Sequence, residues 1–387
     1  MKPRILAFTR FYLPGYKGGG PIRTLANMAS RLGSAVDFRV VTLNHDSGNA
    51  TPYDTVEYEA WTEVGKAQVM YMPPSRLSIR RLSSVVTSFA PDVIYLNSFF
   101  DWRFTQRILW ARRFGCFRRT PVVLAPRGEF SPGALAIKRR RKGSYLALIR
   151  GTGLYSGLTW QASSELEKQD IVRALPRVNP ESIKVAMDLC SGERLEAVAV
   201  QERPDGAPLR VCFLSRITPM KNLAFAIRAL GQVHAAVHFV IYGPIEDPDY
   251  WNTCQEILAA LPTHITHAYA GSIHPTGVHG ALSNHDLFLL PTRGENYGHV
   301  IHEALQAGLP TLISDQTPWR DLNARGVGWT EPINDPARFA AIIDDLATWP
   351  LSRLAAVRIQ AAEFAREHVD DGGQVQVNMD LFLGLLG

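Results

Sequence analysis

Two glutamates eight positions apart flank the junction between a predicted glycine-bounded loop and a predicted helix. The stretch RGENYGHVIHEALQAGLP, residues 293–310, places Glu295 in the loop and Glu303 in the first half of the helix. Backbone N–H groups at the start of that helix, in residues 297–299, favour an anion. An anion cradle between two hydrogen-bond acceptors suits a nucleotide sugar, with the N–H groups on the diphosphate and the carboxylates on sugar and ribose hydroxyls. The alternative is a helix-start carboxylate at Glu303 and a solvated loop charge at Glu295.

Two cations follow a predicted strand earlier in the chain. The stretch FLSRITPMKNLAFAIRAL places Arg216 at the end of the strand and Lys221 at the start of the next helix. Open α/β sheets bind ligands outside the carboxyl ends of their strands, and cations there neutralise a diphosphate. We therefore predict that Arg216 and Lys221 hold a diphosphate, with ordinary surface charge as the alternative.

A run of three glycines, Gly18, Gly19 and Gly20, separates the first predicted strand from the first predicted helix. Glycine permits a tight turn and a close approach of the backbone to a ligand, and Pro21 suits the first turn of a helix. The run predicts a second phosphate cradle, with a simple strand-to-helix turn as the alternative. Its GGGPIR pattern is neither the dinucleotide fingerprint nor a P-loop.

Predicted strands alternate with predicted helices in both halves of the chain. This alternation predicts an α/β protein with two doubly wound, parallel-sheet domains. The stretch QERPDGAP combines charge, proline and glycine and is the predicted linker. The predicted boundaries are an N-terminal acceptor-side domain at 1–200, the linker at 201–208, a C-terminal nucleotide-sugar-binding domain at 209–360, and a helical segment at 361–387 that packs back on the N-terminal domain.

Positive charge is concentrated in the first half of the chain. Residues 1–180 contain 27 lysines and arginines against 12 aspartates and glutamates, whereas the remainder contains 14 against 24. This asymmetry predicts an anionic partner for the first half. The densest run, KRRRKGSYLALIRG at 138–151, adjoins apolar and aromatic residues and suits an anionic membrane surface or a lipid-linked acceptor. A solvated charge run is the alternative, and no motif for binding nucleic acid accompanies it.

The sequence predicts a cytoplasmic protein that contacts the inner face of the membrane peripherally. The four cysteines are widely spaced, and no apolar stretch approaches the length of a membrane span.

Two groups of residues could suggest a metal site. Asp247 and Asp249 imitate a metal-binding DxD motif, and five histidines lie between residues 264 and 285. The aspartates lie in a predicted exposed turn before a helix, and the histidines are scattered over a predicted strand, loop and helix without a cysteine or an HExxH pattern. No metal is therefore predicted.

Together these motifs resemble the retaining GT-B glycosyltransferases of the family-4 type. The resemblance covers almost the whole chain and is carried by the GGGP loop, the Arg216 and Lys221 pair, the segments VIYGPIEDPDYW and GLPTLISDQTPW, and the EX7E pair Glu295 and Glu303. It implies two Rossmann-like domains facing a cleft. It further implies transfer of a sugar from a UDP-sugar or GDP-sugar to a saccharide or lipid-linked acceptor, with retention and without a metal or further cofactor, in polysaccharide or surface-glycan biosynthesis.

The resemblance also implies roles for individual residues. Glu303 would bind the ribose, Glu295 would face the transferred sugar, and Arg216 with Lys221 would hold the leaving diphosphate. The expected donor cradle comprises Gly18, Gly19 and Gly20 from the first domain and Asn296, Tyr297, Gly298 and His299 from the second. Many relatives carry a histidine after the strand that here ends in LAPRGEF, and this chain has Arg127 there. We expect its cation to contact the donor phosphate or an anionic acceptor.

Two other functions remain open at this point. A nucleotide-sugar epimerase or a phosphorylase uses the same two-domain architecture. A catalytically degenerate scaffold that binds a nucleotide sugar belongs to a different class. Turnover of sugar 1-phosphate, or binding without turnover, would distinguish these from a transferase.

Overall fold

Continuous apolar strands form the centre of each half of the protein. The computed structural model describes residues 2–137, 139–149, 152–192, 204, 206–370 and 372–386. Tertiary contacts divide the chain into a first unit, residues 1–192 with 371–387, and a second unit, residues 193–370. In the predicted linker, residues 201–203 and 205 lie outside the described residues.

The first unit contains an eight-stranded sheet. Its strands are Arg4–Phe8 (β1), Asp37–Leu43 (β2), Trp61–Val64 (β3), Ala67–Met72 (β4), Val93–Asn97 (β5), Val122–Ala125 (β6), Thr159–Ala162 (β7) and Ile183–Val185 (β8), in the order β3-β4-β2-β1-β5-β6-β7-β8. Its helices are Gly20–Leu32 (α1), Ile79–Phe89 (α2), Thr105–Arg113 (α3), Pro132–Ala136 (α4), Arg139–Ile149 (α5) and Glu165–Ala174 (α6). Neighbouring strands are parallel except β3 and β4.

Both faces of this sheet are buried. Along β1, Leu6 and Phe8 pack into one apolar cluster, whereas Ile5 and Ala7 pack into another. Successive side chains of a strand point to opposite faces, so a strand covered on both sides is apolar throughout. The antiparallel strand β3 was not predicted from the alternation of strands and helices. It pairs with β4 through a tight turn at Gly65, whose φ of 60° is readily adopted by glycine.

The second unit contains a six-stranded sheet whose paired strands are all parallel. Its strands are Leu209–Leu214 (β9), Val237–Tyr242 (β10), Ile265–Gly271 (β11), Leu287–Leu290 (β12), Thr311–Ser314 (β13) and Gly328–Glu331 (β14), in the order β11-β10-β9-β12-β13-β14. Its helices are Leu223–Leu230 (α7), Pro248–Ala259 (α8), Pro275–Ser283 (α9), His299–Gln306 (α10), Leu322–Arg325 (α11), Pro336–Ala347 (α12) and Leu351–Asp370 (α13).

The last helix, Gly372–Leu383 (α14), belongs to the first unit. Phe382 is fully buried there and meets the ring of Tyr95 edge-on at 5.3 Å between centroids. Asn378 donates a 2.8 Å hydrogen bond from its side chain to the carbonyl of Met187. Residues 361–370 of the predicted C-terminal segment lie in α13 with the second unit, and residues 372–386 lie with the first.

Both sheets have a topological switch point. There the strands added on one side of the first strand of the sheet end, and the chain continues by adding strands on its other side. In the second unit this point lies between β9 and β12, which are neighbours in space although β10 and β11 separate them in the chain. Loops that leave the two strands there diverge to opposite faces and create a crevice at the carboxyl ends. Arg216 and Glu295 lie in these two loops.

The close approach of β9 and β10 at their carboxyl ends requires glycine at position 243. Gly243 has a φ of 133°, and an added Cβ would lie 1.9 Å from the carbonyl oxygen of Ser215. We expect Gly243→Ala to reduce the free energy of unfolding by about 1–3 kcal/mol, measured by urea denaturation. Gly280→Ala in α9 is the matched control, since the described structure leaves open space around an added Cβ there. Equal stabilities of the two variants would contradict the steric explanation.

Candidate functional site

Two loops meet at the switch point of the second unit. The first follows β9 (residues 215–222) and the second follows β12 (residues 291–298). The N–H of Arg293 donates to the carbonyl of Met220 at 2.8 Å, and the Asn222 side chain donates to the carbonyl of Pro291 at 3.0 Å. Asn222 adopts a left-handed conformation, with a φ of 59°. These bonds hold the end of the first loop, just before α7, against the start of the second.

The two loops bring Lys221 and Glu295 into direct contact. Lys221 Nζ donates to Glu295 Oε1 at 2.5 Å, and the two side chains are only 12% and 11% exposed. Such a charge-assisted bond is stronger when water is largely excluded. The sequence predicted both residues as site residues but did not predict that they pair. The pair fixes a cation and a carboxylate at the carboxyl ends of β9 and β12.

The loop that carries Glu295 continues directly into α10. Asn296 is partly buried and Tyr297 is buried, and Gly298 precedes the helix with a φ of 84°. His299 is the first residue of the helix, and Glu303 lies in its second turn, partly buried. The structure therefore places the predicted cradle at the amino end of an eight-residue helix, where an anion is favoured.

Arg216 lies on the other side of the β9 loop and pairs with Glu246. Its guanidinium is 2.6 Å from Glu246 Oε2, and the two side chains are 34% and 48% exposed. The predicted joint site of Arg216 and Lys221 thus consists of two cations, each with its own carboxylate partner. Glu246 was missed by the sequence analysis, although its acidic turn IEDPD follows β10 directly and was a usable signal.

A second carboxylate that was missed orders the glycine loop of the first unit. Asp46, which is 4% exposed, accepts hydrogen bonds from the N–H groups of Tyr16 and Lys17 at 2.9 and 3.1 Å. Gly19 precedes α1 with a φ of 72°, and Gly18 leaves room for the Ile22 side chain, which an added Cβ would meet at 2.9 Å. Gly20 is the first residue of α1. The three glycines thus form a tight turn at the amino end of α1.

Arg127 lies in a buried polar network of the first unit. Its guanidinium pairs with Asp188 and donates to Tyr95 Oη and, at 3.0 Å, to Asn97 Oδ1. Asp188 also accepts from Thr24 Oγ1 of α1 at 3.0 Å. Burial lowers the pKa of Arg127, but Asp188, Tyr95 and Glu167 together more than offset this, so the pKa is raised overall. The Arg127 guanidinium, which was predicted to contact a phosphate or an anionic acceptor, contacts Asp188 instead. The positive charge of Arg127 is therefore compensated within the first unit.

The two aspartates that the sequence analysis set aside lie at the start of a helix. Asp247 caps α8 by accepting the N–H of Tyr250 at 3.0 Å, and Asp249 lies in the first turn of that helix. Among the described residues, no three histidine, cysteine, aspartate or glutamate side chains are grouped so that they could hold a metal. No helix in the described part of the chain is long and apolar enough to cross a membrane.

Aromatic rings pack around Trp319 next to the loop that carries Glu295. Trp319 lies 5.5 Å from Tyr297, 6.0 Å from His302 and 4.9 Å from His368, measured between ring centroids. His302 is 2% exposed and its Nε2 lies 3.2 Å from the carbonyl oxygen of Ala365. Burial lowers the pKa of His302 to about 4, so its imidazole is neutral at pH 7.

The comparisons with known proteins place the family likeness in the second unit. The model of the family described as "Glycosyl transferases group 1" matches residues 196–363. A phosphatidyl-myo-inositol mannosyltransferase of Mycobacterium tuberculosis is 30% identical over 169 residues, which cover 41% of this chain and 43% of the relative. The match therefore spans less than half of the length of this curated relative.

The likeness to solved structures extends over the whole chain. HepE of Anabaena, in complex with UDP-glucose, aligns over 98% of both chains with a TM-score of 0.69 and 16% identity. Sucrose-phosphate synthase of Thermosynechococcus elongatus aligns over 100% of this chain and 99% of its own, with a TM-score of 0.72 and 14% identity. The predicted fold class, two Rossmann-like parallel-sheet domains of the GT-B type, is confirmed. The solved structures share this fold, and the match to the glycosyl transferase family model lies in the second unit.

Acid should destabilise the site region through His302. The unfolded histidine has a pKa of about 6.5 and the folded one about 4, so the unfolded state takes up its proton first as pH falls. His302 makes its full contribution to the free energy of unfolding above pH 6.5. About 3 kcal/mol of that free energy is lost by pH 4. Urea denaturation between pH 7.5 and 4 should show a shallower pH dependence for His302→Asn. Identical slopes for the two proteins would contradict this assignment.

Proposed function

We propose that the protein transfers a sugar, with retention at the anomeric carbon, from a nucleoside diphosphate sugar to a saccharide or lipid-linked acceptor. The observation that carries this proposal is the largely buried Lys221–Glu295 pair at the switch point, ahead of the helix that contains Glu303. All three residues lie within the segment matched by the glycosyl transferase family model. Polysaccharide or surface-glycan assembly is the proposed setting.

The donor diphosphate would lie at the amino end of α10. The turn 296–299 and the helix dipole favour its negative charge, and Lys221 adds a cation that the structure already orients. Arg216 is partly exposed and lies in the loop after β9, which also contains Lys221. We assign the ribose hydroxyls to Glu303 and the transferred sugar to Glu295. These protein cations would stabilise the departing diphosphate, and we propose that transfer needs no metal or further cofactor.

The reaction forms one bond and breaks one bond at the anomeric carbon. The acceptor hydroxyl oxygen bonds to that carbon while the bond from the carbon to the diphosphate oxygen breaks. The proton of the acceptor passes to the departing phosphate. Preorganised cations contribute most where charge develops, which is on the diphosphate. In this scheme the Lys221–Glu295 contact keeps Lys221 in place before the charge appears.

The relatives are consistent with more than one donor and acceptor. HepE was crystallised with UDP-glucose, whereas the curated relative is named for transfer of mannose to phosphatidyl-myo-inositol. Either a UDP-sugar or a GDP-sugar would satisfy the proposed contacts, because these contacts reach the diphosphate, the ribose and the sugar. The donor base is the first quantity to measure.

Calorimetric titration with UDP and with GDP, first without and then with a divalent metal, tests the donor site. We expect one nucleotide to bind without metal, and Glu303→Ala to weaken binding at least tenfold through loss of the ribose hydrogen bonds. Arg338→Ala removes an ion pair to Glu331 elsewhere in the second unit and is the matched control. Absence of binding for both nucleotides in the parent protein would overturn the proposed function.

We further propose that the first unit meets an anionic membrane while the protein remains cytoplasmic. All four cysteines are free, as expected in a reducing compartment. Phe114 and Leu148 are 75% and 72% exposed, at the ends of α3 and α5. Arg112 of α3 donates to the carbonyl of Ser156, in the loop after α5, at 3.2 Å. In the basic run, residues 138, 150 and 151 lie outside the described residues.

This basic and apolar surface consists of the outer face of α5 and the end of α3 and the loop that follows it. Its exposed cations are Arg113, Arg118, Arg119, Arg140 and Arg141. Each lysine or arginine near an anionic bilayer contributes about 1 kcal/mol, and exposed apolar side chains insert at the interface. A lipid-linked acceptor would be reached from such a surface.

Co-sedimentation with vesicles of mixed zwitterionic and anionic lipid tests this surface. Reversing the charge of Arg140 and Arg141 to glutamate should weaken binding by at least about thirtyfold, the equivalent of two contributions of about 1 kcal/mol. Arg228→Glu with Arg366→Glu, two exposed positions in the second unit, gives the same change in net charge as a control. Equal binding of the two double variants would contradict a localised surface.

A further inference from the structure

The segment that begins at the last residue of β13, residues 314–319, binds the loop 291–298 at three points. We call residues 291–298 the site loop. Ser314 Oγ donates to the carbonyl of Thr292 at 2.5 Å. The N–H of Glu295 donates to the carbonyl of Gln316 at 3.0 Å. Trp319 Nε1 donates to the carbonyl of Tyr297 at 2.6 Å. We call residues 314–319 the supporting segment. It contacts the beginning, the middle and the end of the site loop.

Trp319 is the member of this segment that contacts the start of α10. It is 3% exposed, and its own backbone is fixed, because Thr330 Oγ1 of β14 donates to its carbonyl at 3.0 Å. The indole nitrogen also lies 3.4 Å from the point where a Cβ at position 298 would stand. The indole therefore both binds the Tyr297 carbonyl and occupies the space on one side of Gly298.

The bond to Trp319 determines the direction of the peptide group between Tyr297 and Gly298. A trans peptide is planar, and its C=O and N–H point in opposite directions. Because the Tyr297 carbonyl points at the buried indole, the N–H of Gly298 points away from it. Rotation of this one peptide would reverse the direction of a donor at the amino end of α10.

We propose that Trp319 is a positioning residue, whose indole N–H directs the Gly298 N–H towards the diphosphate of the nucleotide sugar. This inference rests on the proposed function and adds to it a residue that itself contacts no ligand. Trp319 acts only through the Tyr297–Gly298 peptide. Its loss should therefore weaken contacts with the diphosphate and leave contacts with the nucleoside unchanged.

The experiment compares Trp319→Phe with Trp349→Phe. Phenylalanine keeps an aromatic ring and removes the N–H. The control likewise removes an indole hydrogen bond, of 3.0 Å to Asp345, and keeps an aromatic ring beside Trp329 in the same unit. For Trp319→Phe we expect the Kd of the nucleoside diphosphate to rise roughly three- to tenfold, as for the loss of one hydrogen bond. The Kd of the matching nucleoside, followed by ligand-observed NMR, should not change.

The possible outcomes distinguish a positioning role of Trp319 from a general structural role and from no role. Equal nucleoside diphosphate affinity in Trp319→Phe and the parent protein would overturn the proposal. A second possible result is that Trp319→Phe loses affinity for the nucleoside and the nucleoside diphosphate equally, with a larger drop in Tm than Trp349→Phe shows. That result would show a general structural role and would also overturn the proposal. If the parent protein binds neither UDP nor GDP, the proposed function itself fails, and this is seen before any variant is compared.

Discussion

Parallel strand pairing is the constraint on which the rest of this structure depends. Two adjacent parallel strands cannot be joined by a tight turn, so the chain must cross over the sheet between them. Most crossovers cover a face with a helix, which explains why the strands are apolar on both sides. It also sends the carboxyl ends of all parallel strands to one edge. At β9 and β12, where the direction of crossover changes, residues far apart in sequence become neighbours.

Charges near these edges are rarely left without compensation. Lys221 faces Glu295, Arg216 faces Glu246 and Arg127 faces Asp188. In the first unit, a buried glutamate, Glu129, accepts the N–H groups of Phe99 and Phe100 at 2.5 and 3.0 Å, and burial raises its pKa. Removing a charge from water costs several kcal/mol unless a partner offsets the loss. The loops therefore owe their shapes to ionic partners as much as to packing.

The sequence predicted the elements better than their contacts. Long apolar runs define strands such as β9 and β10, and Pro21 and Gly298 mark helix starts that the structure contains. The contact between Lys221 and Glu295 joins residues 74 positions apart and depends on the strand order. Asp46 was not predicted, because an isolated loop aspartate carries no signal for the distant backbone that it binds. The hairpin at Gly65 was missed for a related reason, since its short strands lack the length of the central ones.

The placement of α14 has a consequence for how the protein is made. The first unit is discontinuous in sequence, and Phe382 fills a buried place beside Tyr95. The ribosome must synthesise residues 193–370 before it reaches this helix. At about 5–20 residues per second that delay lasts roughly 10–35 s. Throughout that interval the nascent first unit has an uncovered apolar patch at α1 and β5, which a chaperone or a premature partner would find exposed.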